Sequence, residues 1–426
     1  MNATHCCLWR FWMVIVGATL AGAAPASAAA VTRGRCPENL PDGQILASVP
    51  IPAEVRTSGV LRARVNGREP VVAQVEPADT SGGTPDRAWL ILPPCRAGEP
   101  LEIEWIAAPA ATSQPAAFET AVAGPMLSIR GRGADAPTLL GFHHGEPTPG
   151  GRLPLTDYIH PLLGMDGEAL TALSPGDHIH HRGIFWAWVR HDRHGKSIGS
   201  WWIPNQIHLE SGELEHADGP LFSRFAARHY WVSTAEPVGG KRFVDEYVVC
   251  RYFRETPIGR AVDIEITLTA LLDGIRIGGT LELQKGYGGL TVRYNNPAQV
   301  ELVMDGKKMS EDANQLHARW ADLNGFFAEA KGSLRERRSG AAVFVSPDHP
   351  DNPPPWIIRG PSAASKGGSY AVLNVAYPGM EMLDLPKGKP LHLRYRIWIH
   401  RGDTQEGRVE ESFRIYTADF NWELVG

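Results

Sequence analysis

The sequence predicts an all-β protein of antiparallel sheets packed face to face, and three observations lead there. Period-2 hydrophobicity dominates the second half: Val262, Ile264, Ile266 and Leu268 alternate with Asp263, Glu265, Thr267 and Thr269. Leu391, Leu393, Tyr395, Ile397 and Ile399 alternate in the same way with His392, Arg394, Arg396, Trp398 and His400. Successive strand side chains point to opposite faces, so each segment carries one apolar and one polar or amphipathic face. Glycine- and proline-rich turns separate such segments. Helical periodicity is scarce, with residues 312–320 the one stretch that reads as a short helical turn.

The amino terminus reads as a secretory signal over residues 1–28. Arg10 supplies a positive charge, residues 11–20 are apolar but too short to anchor in a bilayer, and Ala26-Ser27-Ala28 is an A-x-A cleavage pattern. Cys6 and Cys7 fall inside it. The expected location is therefore periplasmic or secreted, with no membrane contact after signal removal, since no later stretch approaches the roughly 20 apolar residues of a spanning helix. The 42 Lys and Arg against 47 Asp and Glu give a formal charge of −5, with no long basic run, so nucleic acid is not an expected partner.

Residues 36–106 hold five short strand-like pieces (43–49, 59–65, 71–75, 88–92 and 101–105) divided by turn signals such as Asn66-Gly67 and Ser81-Gly82-Gly83. They form a small β-sandwich-like module. Residues 107–117 are a linker of alanine and proline with few core-forming side chains, and residues 118–426 form the large domain. Cys36 and Cys95 bracket the small module and either form a disulfide or remain two thiols. Cys250 reads as a buried strand residue.

The densest chemistry is Asp177-His178-Ile179-His180-His181-Arg182-Gly183, followed by Trp186 and Trp188. If this stretch is extended, His178, His180 and Arg182 share one face, with neighbours about 6.6 Å apart. Imidazoles serve as general acid or base near neutral pH, and a guanidinium is a planar fork for a carboxylate or sulfate. Trp186 would continue that face as a stacking surface for sugar rings. Single histidines and tryptophans are usually structural or core. Three imidazoles and a guanidinium together are costly to bury without partners, which favours function for the cluster as a whole. Upstream lie His143-His144 and Asp157-Tyr158-Ile159-His160. Downstream, Tyr287 sits among glycines that let a ligand approach, or that make an ordinary hairpin turn, with Thr291 and Arg293 following. His349 and Trp356 flank a proline-stiffened loop that reads as a site wall or, rather more readily, as a rigid connection. Gly286-Tyr287-Gly288-Gly289 lacks the residues of a phosphate-cradling loop. No cofactor is predicted. The His-x-His pair leaves room for a divalent metal at the histidine cluster, although no third ligand stands at a diagnostic spacing.

At these residues the chain resembles the DUF6807 family, also labelled PmoA-like or "methane oxygenase PmoA". The resemblance runs through Tyr158-Ile159-His160-Pro161, Asp177 to Gly183, Tyr287 to Arg293, Trp320 to Gly325, Asp348-His349-Pro350 with Trp356, and Leu391 to Arg396. Where the family reads D-H-P-H-H-R-G, Ile179 replaces the proline. Methane oxidation does not follow, because a particulate methane monooxygenase subunit is an integral membrane protein. Similarity to exported members found beside sugar-degrading genes implies carbohydrate processing. The strand pattern also looks like the galactose-mutarotase-like β-supersandwich of aldose epimerases and several polysaccharide-active enzymes. Fold alone does not fix function.

The expected function is a carbohydrate-active enzyme working on a glycoside or oligosaccharide, slightly favouring hydrolysis. Polysaccharide lyase or sugar epimerase chemistry at a His/Tyr/Arg site is the alternative. A non-catalytic carbohydrate-binding protein and a mononuclear metal protein are further readings. His178, His180, His181, Arg182 and Tyr287 are the expected catalytic residues. Asp177, His160, Trp186, Arg293, His349 and Trp356 are the expected substrate-binding ones. The carboxylate pair that hydrolysis normally requires is not evident, since Asp177, Asp348 and Glu282 are scattered.

Overall fold

A computed structural model describes residues 30–37, 45–55, 60–76, 86–106, 114–145, 155–201, 206–328, 336–360, 362 and 370–425. The expected signal at 1–28 and most of the expected linker (107–113) lie outside the described residues. The chain is all-β, with antiparallel pairing throughout its sheets.

Among the described residues two nine-stranded sheets build most of the large domain, with a smaller four-stranded sheet of Lys196–Gly199, Arg190–Arg193, Ile275–Gly278 and Met382–Leu385. The front sheet runs in the order Ala313–His317, Pro355–Arg359, Val372–Val375, Gly288–Arg293, Ile184–Trp188, Tyr158–Leu162, Thr138–His143, Met126–Arg130, Glu119–Ala123. The back sheet runs Ile207–Asp218, Phe222–Ser233, Arg242–Phe253, Arg260–Ala270, Pro390–Arg401, Ser339–Val345, Trp320–Phe326, Ala298–Met304, Lys307–Lys308. Alternation decides which side chains meet between them. Phe142, Ile159, Trp186, Leu290 and Ile358 of the front sheet share one core with Phe225, Val248, Ile264, Val343 and Ile397 of the back sheet. The residues between those positions necessarily face the other way. Strand register lines them up as a row across the front sheet: Ile357, Asn374, Thr291, Phe185, Tyr158, His143.

Residues 313–317 form an edge strand paired with Pro355–Arg359, not the helical turn expected there. Pairing with a neighbouring strand overrides the local preference.

The amino-terminal unit is one seven-stranded sheet with a core of its own, including Ile45, Leu61, Leu90, Ile103 and Trp105. Two of its strands come from beyond residues 36–106: Val31–Arg35, and the carboxy-terminal Glu423–Val425 that pairs with it. Its outer face docks on the back sheet, where Trp89 packs on Phe253 with ring centres 4.8 Å apart and Gln74 bonds the backbone of Leu221 and Phe222. Cys36 and Cys95 are bonded, with a sequence separation of 59, and Cys250 is a buried free thiol. Among the described residues no helix is long and apolar enough to cross a membrane.

On the outer face of the back sheet, Asp322 accepts from His400 at 3.0 Å and from the Thr404 hydroxyl at 2.6 Å, with both Asp322 and His400 fully buried. Burial acts most strongly on each, raising the acid and lowering the imidazole. Their mutual attraction outweighs it, aided by Thr404 and Asn324 on Asp322, so the acid is held below its usual value and His400 above.

Two outcomes are expected. Reducing the disulfide, or Cys36→Ser with Cys95→Ser, should lower unfolding free energy by about 2–4 kcal/mol in denaturant titration. The stabilisation from Asp322 and His400 should be complete between the ordinary values of 3.8 and 6.5. It should be lost as pH falls through the depressed folded value of Asp322 or rises through the raised value of His400. Asp322→Asn should flatten that dependence and cost about 3–5 kcal/mol.

Candidate functional site

Residues 177–182 are not extended. His178 N–H donates to the Pro175 carbonyl at 3.1 Å, His181 N–H to the His178 carbonyl at 3.0 Å, and Ser174 N–H to the His181 carbonyl at 2.8 Å. The expectation that His178, His180 and Arg182 share a strand face is therefore corrected: consecutive turns gather the rings instead. His178 stacks on His181 with ring centres 4.7 Å apart, and His180 meets His181 edge-on at 4.8 Å. Tyr370 stacks on the other ring partners, 4.7 Å from His178 and 6.2 Å from His181. Gly183 ends the turn with φ of +62°, and a Cβ there would lie 2.1 Å from the Ile159 carbonyl oxygen, so a side chain is excluded.

The cluster grades from open to buried. The side chains of Asp177 and His178 are 41% and 37% exposed, so solvent reaches them. His181, Arg182, Tyr287 and Arg293 are buried. Tyr287 Oη lies 3.4 Å from His181 Nε2. Arg293 donates Nη2 to Asp177 at 3.1 Å and to Asn296 at 3.3 Å, and its guanidinium sits 4.6 Å from the Tyr370 ring centre. Arg182 lies over Phe185 and Trp201, at 5.1 and 5.2 Å. Nε and Nη2 of Arg182, Nε and Nη1 of Arg293, and Nδ1 of His181 are buried with no hydrogen-bond partner. Buried guanidinium donors of this kind cost several kcal/mol where nothing answers them, which makes this group the candidate site.

Burial is the main influence on the imidazoles. It carries His180 down to about 4, helped by His178 and Arg182, and holds His181 well below its usual value, helped by His180, His178, Arg293 and Arg182. Both rings are neutral near pH 7. Burial pushes the Tyr287 phenol up, so it keeps its proton. For Asp177 burial works upward, but the His178 hydrogen bond and the Arg293 charge prevail and hold the acid down.

The remaining expected residues divide. His160 lies one strand away with Nδ1 3.0 Å from the Thr171 hydroxyl, and burial followed by His143 lowers it to about 4. Trp186 is corrected as a stacking surface: it faces the core, 1% exposed, and donates to Glu246 at 3.0 Å. Trp356 is corrected likewise, being fully buried and donating to the Ala318 carbonyl at 2.7 Å. In a strand, Ile184, Trp186 and Trp188 share the inward face while Phe185 takes the outward one. His349 is buried against Tyr377 and Tyr395 and bonds the Asp351 carbonyl and the Tyr395 hydroxyl, contacts that belong to the back sheet rather than to the cluster.

A family model described as a family of unknown function, DUF6807, matches residues 134–414. The chain belongs to the DUF6807 family. No curated protein matches the sequence. The matched span covers nearly all of the two-sheet domain, including the turn cluster, and leaves out the whole amino-terminal sheet.

Beneath the cluster the DUF6807 domain holds a second polar group that sequence reasoning missed as a site: Asp157, His229 and Glu246, all buried between the sheets. Among the described residues this is the group of His, Cys and acidic side chains whose donor atoms come within metal-binding reach, within 4.8 Å of one another. The metal expectation at the histidine cluster is corrected accordingly, since those rings stack on one another rather than converge. A signal did exist. His229 and Glu246 occupy inward positions in Phe225-x-Ala227-x-His229-x-Trp231 and Val244-x-Glu246-x-Val248, where apolar residues are the rule. Burial raises Asp157 to about 6, against the neighbouring Glu246 and the Arg182 charge, and raises Glu246 further.

Gly183→Ala should destabilise the fold by more than about 1 kcal/mol, where an unstrained exchange would stabilise it. A lowered denaturant midpoint is the expected reading.

Proposed function

We propose that this DUF6807 protein is an exported enzyme that binds an anionic carbohydrate and moves a proton at the carbon beside its carboxylate. One observation carries the reading: buried, unpartnered N–H groups of Arg182 and Arg293 act on the same His181–Tyr287 pair. A sugar acid matches these groups chemically. Its carboxylate suits two guanidinium forks, and the C–H bond next to that carboxylate is the one it acidifies. His178, His180 and Tyr370 offer polar ring edges to hydroxyl groups.

The charge balance supports a base that switches on with substrate. Burial keeps His181 neutral, helped by repulsion from His180, His178 and the two arginines. A bound carboxylate cancels that repulsion and raises the basicity of the ring. His181 then takes the proton, and the resulting enediolate is held by Arg182 and Arg293. Expulsion of the β-oxygen, protonated by the Tyr287 hydroxyl, gives an unsaturated product. Return of a proton to the opposite face gives the epimer instead.

Hydrolysis, slightly favoured by sequence, has less support. Asp177 is engaged by Arg293 and His178, and Asp348 by Arg394 and Ser346. Asp157 and Glu246 are closed inside the core. The disulfide and the signal-like amino terminus support a periplasmic or secreted location, and the facing nine-stranded sheets support a supersandwich.

The test is a panel of uronate-containing oligosaccharides and their carboxyl-reduced counterparts, with products read by mass. Cleavage without gain of water, or an isomer of unchanged mass, is expected for the acids. Products that have gained water, or binding with no turnover across the panel, would overturn the reading. Arg182→Lys should lower kcat/KM on the acid by about 10–100-fold, and the carboxyl-reduced sugar, which has no acidified C–H bond, should be turned over by neither form. The acid limb of kcat/KM should lie well below pH 6.5, and that of kcat should lie above it on the pH axis, because kcat reports the complex.

A further inference from the structure

The Asp157, His229 and Glu246 group has an arrangement of donors and acceptors that the protein itself does not resolve. His229 Nε2 lies 3.2 Å from the His144 carbonyl, so that nitrogen carries the hydrogen and the other, Nδ1, presents a lone pair. Nδ1 faces Asp157 Oδ1 at 3.3 Å and Glu246 Oε1 at 3.9 Å. Neither Asp157 oxygen and not Nδ1 receives a hydrogen bond, and all three residues are at most 1% exposed. Nearby donors are committed elsewhere: Trp186 and Trp231 donate to the two oxygens of Glu246 at 3.0 and 2.8 Å, and Asp157 N–H donates to the His143 carbonyl at 2.6 Å. With the imidazole neutral and both acids ionised, three lone pairs converge with no hydrogen between them.

We propose that Asp157, His229 and Glu246 form a binding site for one first-row divalent cation in the core of the DUF6807 domain. A proton on Glu246 would answer Asp157 but leave His229 Nδ1 against carboxylate oxygens. A divalent cation answers all three at once. The surroundings are those of a metal site: the imidazole gives its second N–H to a backbone carbonyl, and the ligating carboxylate is oriented by two indole N–H groups. One nitrogen and carboxylate oxygens, with no thiolate, suit manganese, iron or zinc. Strand register builds the set, since His229 and Glu246 are directly opposed on neighbouring strands. Asp157 enters from the front sheet with φ of +61°, a conformation that turns it at the start of its strand. The Arg182 charge offsets one carboxylate, and the added positive charge of a bound cation would be met by an anion at Arg182 above. The site stands without the proposed reaction, because its test uses no substrate.

The test is elemental analysis of the whole chain, expressed in media supplemented with manganese, iron, zinc or cobalt and purified without chelators. About one equivalent per chain is expected in at least one medium, falling below about a tenth in Asp157→Asn and in His229→Gln. Trp231→Phe, which keeps all three ligands, should surrender its metal to a competing chelator about 10–100-fold more readily. Cobalt-grown protein should also show a ligand-field spectrum of oxygen and nitrogen donors and quenched tryptophan emission. Wild-type protein with less than about a tenth of an equivalent from every medium, or equal metal in wild type and Asp157→Asn, would overturn the proposal.

Discussion

A guanidinium cannot leave water without something to answer its charge, and Arg182 has left water almost completely. Its position is fixed from both sides. Gly183 brings the chain against the Ile159 carbonyl, and Phe185 and Trp201 cover the guanidinium plane. What answers the charge is distributed: Asp157 and Glu246 lie below, Tyr158 and Tyr287 beside it, and none of them bonds Nε or Nη2. The two polar groups of this domain are therefore one electrostatic system. The carboxylates in the core lie against a buried cation whose Nε and Nη2 have no hydrogen-bond partner.

That system explains how the front sheet differs from the back. Both bury aromatic and aliphatic side chains inward, yet their outward faces handle charge differently. The back sheet closes some of its polar residues into matched pairs, Asp322 with His400 and Asp263 with Arg396 through two bonds of 2.6 and 2.8 Å, although Tyr247 Oη and the Nε atoms of Arg224 and Arg228 have no hydrogen-bond partner there. These pairs are complete, and burial of satisfied ions of this kind fixes geometry rather than inviting ligands. The front sheet leaves Arg182, Arg293 and His181 incompletely bonded in a place that the amino-terminal sheet does not cover, since that sheet docks on the opposite side of the domain through Trp89 and Gln74. This incompletely bonded group on the uncovered face is where the proposed ligand would bind.

The fold was legible because alternation is a local property. The Val262–Leu268 and Leu391–Ile399 patterns translate directly into paired strands with one core face. Much of the site was legible too, because Asp177, His178, His180, His181 and Arg182 are neighbours in sequence and a turn keeps them neighbours in space. What failed was face assignment. A period of two was extended through a segment that in fact turns, and it carried Trp186 to the wrong side of the sheet. His349 and Trp356 failed because a motif's presence says nothing of which layer it joins. The core triad escaped notice for the opposite reason: its members come from two strands and the residue before a third, each a single ionisable side chain facing the core that looks incidental until register sets His229 opposite Glu246. Single polar residues in apolar registers hold more information than dense clusters suggest.

Chemistry at the outer face turns on the same low-dielectric setting that makes it costly. In water, a histidine beside two arginines would differ little from a free imidazole, because solvent would screen the repulsion. Here the rings of His180 and His181 are desolvated, and every nearby charge acts on them at greater strength. A neutral ligand would leave that repulsion in place and His181 a poor base. In the proposed reaction an anionic ligand would remove it at the moment the proton has to move, so that recognition of charge and activation of the base would be one event. A module that only held sugars would gain nothing from burying its guanidinium groups beside a tyrosine and an imidazole within 3.4 Å of each other. Burial strengthens the guanidinium groups' pull on an anion and their effect on the neighbouring imidazole alike, and it is this coupling of binding to the base that the proposed turnover would use.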